Sequence, residues 1–254
     1  RFFSFDDPVM AVNLVSVVFG ALTVYALYRL IQELFGEKAA ILGSILLSIN
    51  PLFLGVSVYG KNHAISMYFL LLGLFSLIKY QSKGKISYLW LSAIIFGLMS
   101  SARIVDFATV IIPISFFYFS GVPSSAPKKK FLTRQEVTRF FLCCGIAGVV
   151  TAFFYLPLFF SEHRSSQGYY FIKEWKESNF LIPHSWHFLW AIGVLAKTCS
   201  TTGLLLALAG LGVLFKERRG RLAAGLMLWF CCPFFYFASL PYPAVRYLSF
   251  VLPP

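Results

Sequence analysis

Charged residues are scarce in this sequence. Asp, Glu, Lys and Arg make up 13% of its 254 residues, whereas hydrophobic residues make up 58%. A soluble globular domain carries about a quarter charged residues, so the composition excludes an ordinary soluble domain and predicts an integral membrane protein with several spans. Acidic residues are the scarcer kind, with 10 Asp and Glu against 22 Lys and Arg. The basic residues gather in short loops, so we expect a membrane partner and no nucleic acid.

Several motifs that would carry familiar chemistry are also missing. None of the five cysteines lies in a CxxC motif or at zinc-ligand spacing from a histidine, which argues against a zinc site and a disulfide framework. There is no Walker loop, GxSxG, HExxH or dinucleotide fingerprint. No cofactor is predicted, although a divalent metal stays compatible with the sequence. The chain starts at Arg1 without a signal peptide and stops at LPP inside an apolar run, so we expect one transmembrane domain over 1–254, truncated at both ends.

What the sequence has instead is a series of long apolar runs. The first, Val9–Leu30, is uncharged before Arg29 and reaches the roughly 20 residues that cross a bilayer as a helix. A second run, Ala39–Tyr59, contains Pro51, which predicts a kink. The other predicted helices are Ala64–Tyr80, Ser87–Ser100, Phe107–Ser120, Arg139–Phe160, an interfacial helix followed by a span within Phe188–Phe215, and Leu222–Leu240. The predicted fold is an all-α polytopic transmembrane helix bundle of about eight complete spans plus a truncated ninth.

The connectors between the apolar runs alternate in character. Fourteen of the 22 Lys and Arg residues lie in or close beside the connectors Ile31–Lys38, Gln81–Lys85 and Gly121–Thr138 and the loop KERRGR, which the positive-inside rule makes cytoplasmic. The outer connectors are then Arg1–Pro8, Tyr59–His63, Ser101–Asp106, Ser161–His187 and Pro241–Tyr247. Of these, Ser161–His187 is a long outer loop, and long loops in compact bundles often carry function.

The outer connectors hold isolated ionisable residues at helix ends, which usually face a cavity or a partner. The candidate site residues are Lys61, His63, Arg103, Asp106, Glu162, His163, Arg246 and Tyr247. Arg103 and Asp106 have i, i+3 spacing and could share a helix face, either lining a polar cavity or capping a helix. Lys61 and His63 could bind a phosphate or could form a hydrated loop. Arg246 could bind phosphate through its planar fork of donors.

Three stretches resemble a known family. NLVSVVFGALTVYALYRLIQELFGEKAAILGSILLSINPLFLGVSVYG resembles the helical hairpin of GT-C membrane glycosyltransferases. SSARIVDFATVIIP is similar to their outer arginine and acid before a proline-containing helix, and PYPAVRYLSFVLPP to the start of a late helix. The sequence is most similar to glycosyltransferase family 39, which includes protein O-mannosyltransferases and aminoarabinose transferases.

The resemblance implies an enzyme that takes a sugar from a polyprenyl-phosphate lipid and transfers it, with inversion, to a protein or lipid acceptor on the outer side. It implies a general base in the first outer loop, which would lie upstream of Arg1. Within this chain the candidate catalytic residue is Asp106. Arg246 and Lys61 would contact the lipid phosphate, whereas Arg103 and Asp106 would line the sugar or acceptor cavity. His63, Glu162, His163 and Tyr247 complete the substrate-binding candidates.

Two other functions fit the same charges. A transporter or lipid flippase would use them as a path through the membrane, although the sequence contains no evident inverted repeat. A non-catalytic scaffold would be favoured if the parent lacked an acid in its first outer loop. A bacterial inner membrane is the expected location in preference to the endoplasmic reticulum.

Overall fold

A computed structural model describes residues 8–58, 62–120, 133–159 and 185–238. The described part is all-helical, which confirms the predicted fold class. Its helices are α1 (Pro8–Phe35), α2 (Glu37–Ser48), α3 (Pro51–Val58), α4 (His63–Lys83), α5 (Ile86–Ala102), α6 (Ile104–Ser120), α7 (Arg134–Phe159), α8 (Ser185–Lys216) and α9 (Gly220–Ala238).

Three of the described helices have the length and apolar composition of a membrane span. They are Val9–Phe35, His63–Lys83 and Arg134–Pro157. The bent pair α2–α3 would be a fourth span if its two helices cross the membrane together. Four shorter apolar segments lie in α5, α6, α8 and α9. These helices establish an integral membrane protein, whereas the number of eight spans stays a prediction.

The helices group into two compact units. The first contains α1 to α5, the start of α6 and Arg134–Gly148 of α7. The second contains α6 from Ala108, α7 from Val149, and helices α8 and α9. The candidate site described below lies wholly in the first unit.

The predicted kink at Pro51 is a complete break. Helices α2 and α3 meet at an angle of 65°. Asn50 starts the second helix, because its Oδ1 accepts hydrogen bonds from the backbone N of Leu52 at 3.0 Å and of Phe53 at 3.1 Å. Proline fits the first turn of a helix, where its missing N–H costs nothing. The Asn-Pro pair therefore ends one helix and caps the next.

Helices α4 and α5 form an antiparallel hairpin that α1 packs against. Gly84 ends α4 in the left-handed conformation, with φ of 70°, and its N–H bonds to the carbonyl of Tyr80 at 2.8 Å. Farther along, Gly73 lies so close to α5 that a Cβ atom there would come within 2.6 Å of Phe96 Cε1. Small residues at helix contacts allow the close packing that holds helices together in lipid.

Polar contacts join three helices at the end of α4 near Lys83. Lys79 Nζ lies 2.5 Å from Glu33 Oε2 of α1. Tyr80, which is 4% exposed, donates to the Glu136 carboxylate of α7 at 3.3 Å and accepts a bond from Arg139 at 3.2 Å. These contacts connect α1, α4 and α7 at the end that the charge pattern predicts to be cytoplasmic.

Two expectations about helix boundaries are wrong. The region Phe188–Phe215 is not an interfacial helix followed by a separate span, because α8 runs unbroken from Ser185 to Lys216. Its interruption was expected from Lys197 and nearby hydroxyl residues, yet Ser and Thr can satisfy their hydroxyls on the helix's own carbonyls without breaking it. The connector predicted from Ile31 is also shorter, since α1 continues to Phe35 before Gly36 turns the chain with φ of 90°.

Candidate functional site

Two polar segments meet at the other end of the α4–α5 hairpin. Because the two helices are antiparallel, the residues that precede α4 come level with those that follow α5. Asn62 stands directly before α4, and its Nδ2 donates a hydrogen bond of 2.6 Å to the carbonyl oxygen of Ala102, the last residue of α5. An asparagine at this position usually caps its own helix, whereas Asn62 makes no side-chain cap bond. Its amide instead ties the start of α4 to the end of α5.

Arg103 occupies the one-residue break between α5 and α6. Its backbone is extended, with φ of −157° and ψ of 105°, and its N–H bonds to the carbonyl of Met99 at 3.0 Å. The next residue, Ile104, already begins α6. The expectation that one helix face carries both Arg103 and Asp106 is therefore wrong. The i, i+3 rule holds only when both residues are helical, and Arg103 is not.

The guanidinium of Arg103 lies against the imidazole of His63. Arg103 Nη1 is 2.9 Å from His63 Nε2 and also contacts Nδ1. His63 is the first residue of α4 and only 3% exposed, so it is not part of a hydrated loop. A guanidinium can only donate hydrogen bonds, so in a hydrogen bond between the two groups an imidazole nitrogen is the acceptor. An imidazole acceptor, unlike a carboxylate, can hold a guanidinium without adding a negative charge beside it.

Two buried hydroxyl groups lie farther along from His63, one on α4 and one on α1. Ser66 lies one helical turn farther along α4, is fully buried, and its Oγ has no hydrogen-bond partner among the described residues. Thr23 of α1 is also fully buried, and its Oγ1 bonds to the carbonyl of Phe19 at 2.7 Å and to that of Ala64 at 3.3 Å. Thr23 thus fixes α1 against the first turn of α4.

The other predicted site residues are less well defined. Asp106 is the third residue of α6, a place where a carboxylate interacts favourably with the helix dipole, and the structure describes only its backbone. Five further predictions fall outside the described residues: Lys61, Glu162, His163, Arg246 and Tyr247. Within the described part of the chain, no three His, Cys, Asp or Glu side chains come together as metal ligands.

Asn62 is the residue that sequence reasoning missed. Its position just before an apolar run suggests a helix cap, but its actual partner, Ala102, is 40 residues away. Only the pairing of α4 with α5 brings the two together. The combined arrangement is an arginine held against an imidazole at the end of a helical hairpin, and a cation in such a place is suited to binding an anion such as phosphate.

Comparison with known proteins identifies the family. Residues 3–156 match the family model described as dolichyl-phosphate-mannose-protein mannosyltransferase. None of the curated proteins or solved structures compared with the chain matches it. The matched region is more than half of the chain and includes Asn62, His63 and Arg103. The chain therefore belongs to the dolichyl-phosphate-mannose-protein mannosyltransferase family, which makes it a member of a family of membrane glycosyltransferases.

Proposed function

We propose that the protein transfers a sugar from a polyprenyl-phosphate lipid to an acceptor at the outer face of the membrane. The family description supports dolichyl phosphate as the carrier, mannose as the sugar and a protein as the acceptor. The observation that carries the proposal is the contact of Arg103 with His63 at the outer end predicted for the α4–α5 hairpin.

The proposed donor carries an anionic phosphate at the membrane surface, where its recognition requires cations. Arginine suits this role because its planar fork can donate two parallel bonds to phosphate. Such bonds are stronger where water is partly excluded, and Arg103 is half-buried. In this proposal Arg103 is a ligand of the donor phosphate, and the assignment of Lys61 and Arg246 to that phosphate stays a prediction from the sequence. A guanidinium carries five N–H donors, so an incoming phosphate can accept hydrogen bonds from Arg103 while the contact with His63 persists.

In the transfer step, an acceptor hydroxyl attacks the anomeric carbon of the sugar. A bond forms between that carbon and the acceptor oxygen, and the bond to the phosphate oxygen breaks with inversion. The polyprenyl phosphate leaves with the bonding electron pair, and a general base removes the hydroxyl proton. Asp106 is the candidate base within this chain, and Arg103 would stabilise the negative charge that develops on the leaving phosphate.

A labelled donor separates this proposal from a flippase. Membrane vesicles that contain the protein would receive a radiolabelled polyprenyl-phosphate sugar, and label would be measured in the lipid and acceptor fractions. The proposal predicts that label leaves the lipid, and that Asp106→Asn lowers this transfer without loss of the protein from the membrane. Label that stays on the lipid while crossing the bilayer would overturn the proposal in favour of a flippase.

A further inference from the structure

The turn between α8 and α9 presents a dense group of cations. Within the six residues 216–221 there are four cations and one carboxylate: Lys216, Arg218, Arg219, Arg221 and Glu217. Lys216, Arg218 and Arg221 are exposed. The turn directly follows an apolar helix end that includes Leu214 and Phe215, so we expect the cations to lie where this apolar segment reaches the membrane surface.

The exposed cations differ in whether their side chains form hydrogen bonds or ion pairs within the protein. Arg221 Nη1 donates a bond of 3.2 Å to the carbonyl of Ser120, the last residue of α6. The side chains of Lys216 and Arg218, in contrast, have no hydrogen bond or ion pair with any residue in the described ranges, and neither does the side chain of Glu217, the one nearby carboxylate. Two positive charges at this turn are therefore available to an external anion.

Cations at the far end of α4 are mostly used within the protein. Lys79 pairs with Glu33, Arg139 pairs with Glu136, and Lys83 lies over the ring of Tyr88 at 5.8 Å. This end of α4 and the α8–α9 turn both belong to the side that the charge pattern predicts to be cytoplasmic. If the α8–α9 turn served only to set topology, its charges would need no particular geometry, because the positive-inside rule depends on their number alone.

The backbone of the turn is also particular. Arg218 has φ of 59°, and the N–H of Arg219 bonds back to the carbonyl of Leu214 at 2.8 Å. The equivalent left-handed position in the α4–α5 turn holds Gly84, the residue that adopts this conformation most easily. Arg218 thus occupies a position where glycine would be unstrained. We therefore expect Arg218→Gly to remove the charge without destabilising the fold.

We propose that Lys216 and Arg218 bind the phosphate of an anionic phospholipid headgroup at the α8–α9 turn. The ligand is a bilayer lipid and not the sugar donor, so the proposal does not depend on the proposed function. Basic clusters just beyond a membrane span attract anionic lipids, and each cation near the surface contributes about a fivefold increase in affinity. Two exposed cations separated by one residue can approach a single phosphate. In the α4–α5 turn Lys83 and Lys85 have the same spacing and are both exposed, but Lys83 lies over the ring of Tyr88.

The test is lipid binding to the purified chain in detergent, with native mass spectrometry to measure bound phosphatidylglycerol or phosphatidylcholine. We expect preferential binding of phosphatidylglycerol, and a loss of about fivefold in Arg218→Gly. The matched variant combines Glu217→Gln with Arg218→Gly, which restores the net charge of the turn without restoring the cation. This double variant should stay as weak as Arg218→Gly, and Lys85→Gln should bind like the wild type.

Three results would overturn the proposal. Unchanged phosphatidylglycerol binding in Arg218→Gly would remove Arg218 from any lipid site. Recovery of binding in the double variant would mean that net charge acts without a defined site. If inorganic phosphate alone competes away the lipid at an equal concentration, the turn binds free anions and not a headgroup. The thermal unfolding of each variant, measured without lipid, identifies any loss that comes from misfolding.

Discussion

The guanidinium of Arg103 lies against the imidazole of His63, 40 residues earlier in the chain. The contact joins the break after α5 to the first residue of α4. The contact favours anion binding by orienting the guanidinium, because a long arginine side chain that is already held in place loses less conformational freedom when an anion binds. This pair is the basis of the first two predictions.

Replacement of His63 should weaken donor binding without abolishing it. His63→Ala removes the acceptor that orients Arg103, and we expect donor affinity to fall by a few fold as the guanidinium regains rotational freedom. His63→Gln keeps a neutral acceptor and should retain most of the affinity. Equilibrium binding of a polyprenyl-phosphate sugar to the purified variants measures this. Equal affinities in the wild type and His63→Ala would mean that the contact has no role in the site.

Asn62 should act as a positioning residue. Asn62→Leu has nearly the same shape but cannot donate to Ala102, so the start of α6 and Arg103 should become less fixed. We expect several-fold slower transfer and a small loss of stability, about 1 kcal/mol. The rate at which an arginine-directed dicarbonyl reagent modifies Arg103, measured by peptide mass spectrometry, should rise.

Asn62→Gln is the control for that prediction, because it keeps a donor amide. It should restore most of the protection of Arg103. Protection that is the same in Asn62→Leu and the wild type would contradict a positioning role, and this comparison needs no transferase activity.

The break between α2 and α3 should depend on Asn50. Asn50→Ala removes the side-chain oxygen that caps α3 through Leu52 and Phe53, and loss of such a cap costs about 1 kcal/mol. The midpoint of thermal unfolding in detergent should fall, while Asn50→Asp should stay close to the wild type because a carboxylate also caps. A fall of the same size in both variants would argue against capping as the cause.

Tyr80 should stabilise the fold without contributing to transfer. Tyr80→Phe removes the hydroxyl that bonds to Glu136 and Arg139, and we expect a loss of about 1 kcal/mol. The transfer rate should not change, because Tyr80 lies near the opposite end of α4 from His63. A variant that unfolds normally but transfers slowly would show that this end takes part in the reaction.

The sequence predicted those features that depend on local chemistry. Apolar runs located the helices, and Pro51 marked the break. His63 and Arg103 were both selected as candidates because ionisable residues are costly at membrane depth. Their contact could not be foreseen, since it depends on how α4 packs against α5, where Gly73 lies close to Phe96. The same limit explains Asn62, whose hydrogen bond runs to a backbone carbonyl that no sequence pattern reveals.

The wrong predictions have a similar origin. The spacing of Arg103 and Asp106 suggested that they could share a helix face, but the helix ends before Arg103 and restarts after it. The α8 region was divided because Lys197 interrupts its apolar pattern, yet the backbone stays helical throughout. In both cases spacing and hydropathy predicted that a helix exists, but not where its hydrogen bonding stops.

The most direct test of the account is donor affinity in Arg103 variants of the purified chain. Arg103→Ala should bind a polyprenyl-phosphate sugar at least about tenfold more weakly, since a hydrogen bond to a charged group contributes about 1.5–3 kcal/mol. Arg103→Lys should have an intermediate affinity because lysine keeps the charge but not the planar fork. The control is Arg139→Lys in α7, which lies near Tyr80 at the far end of α4 and should leave donor affinity unchanged. Unchanged affinity in a folded Arg103→Ala variant would contradict the assignment of this site to the donor phosphate.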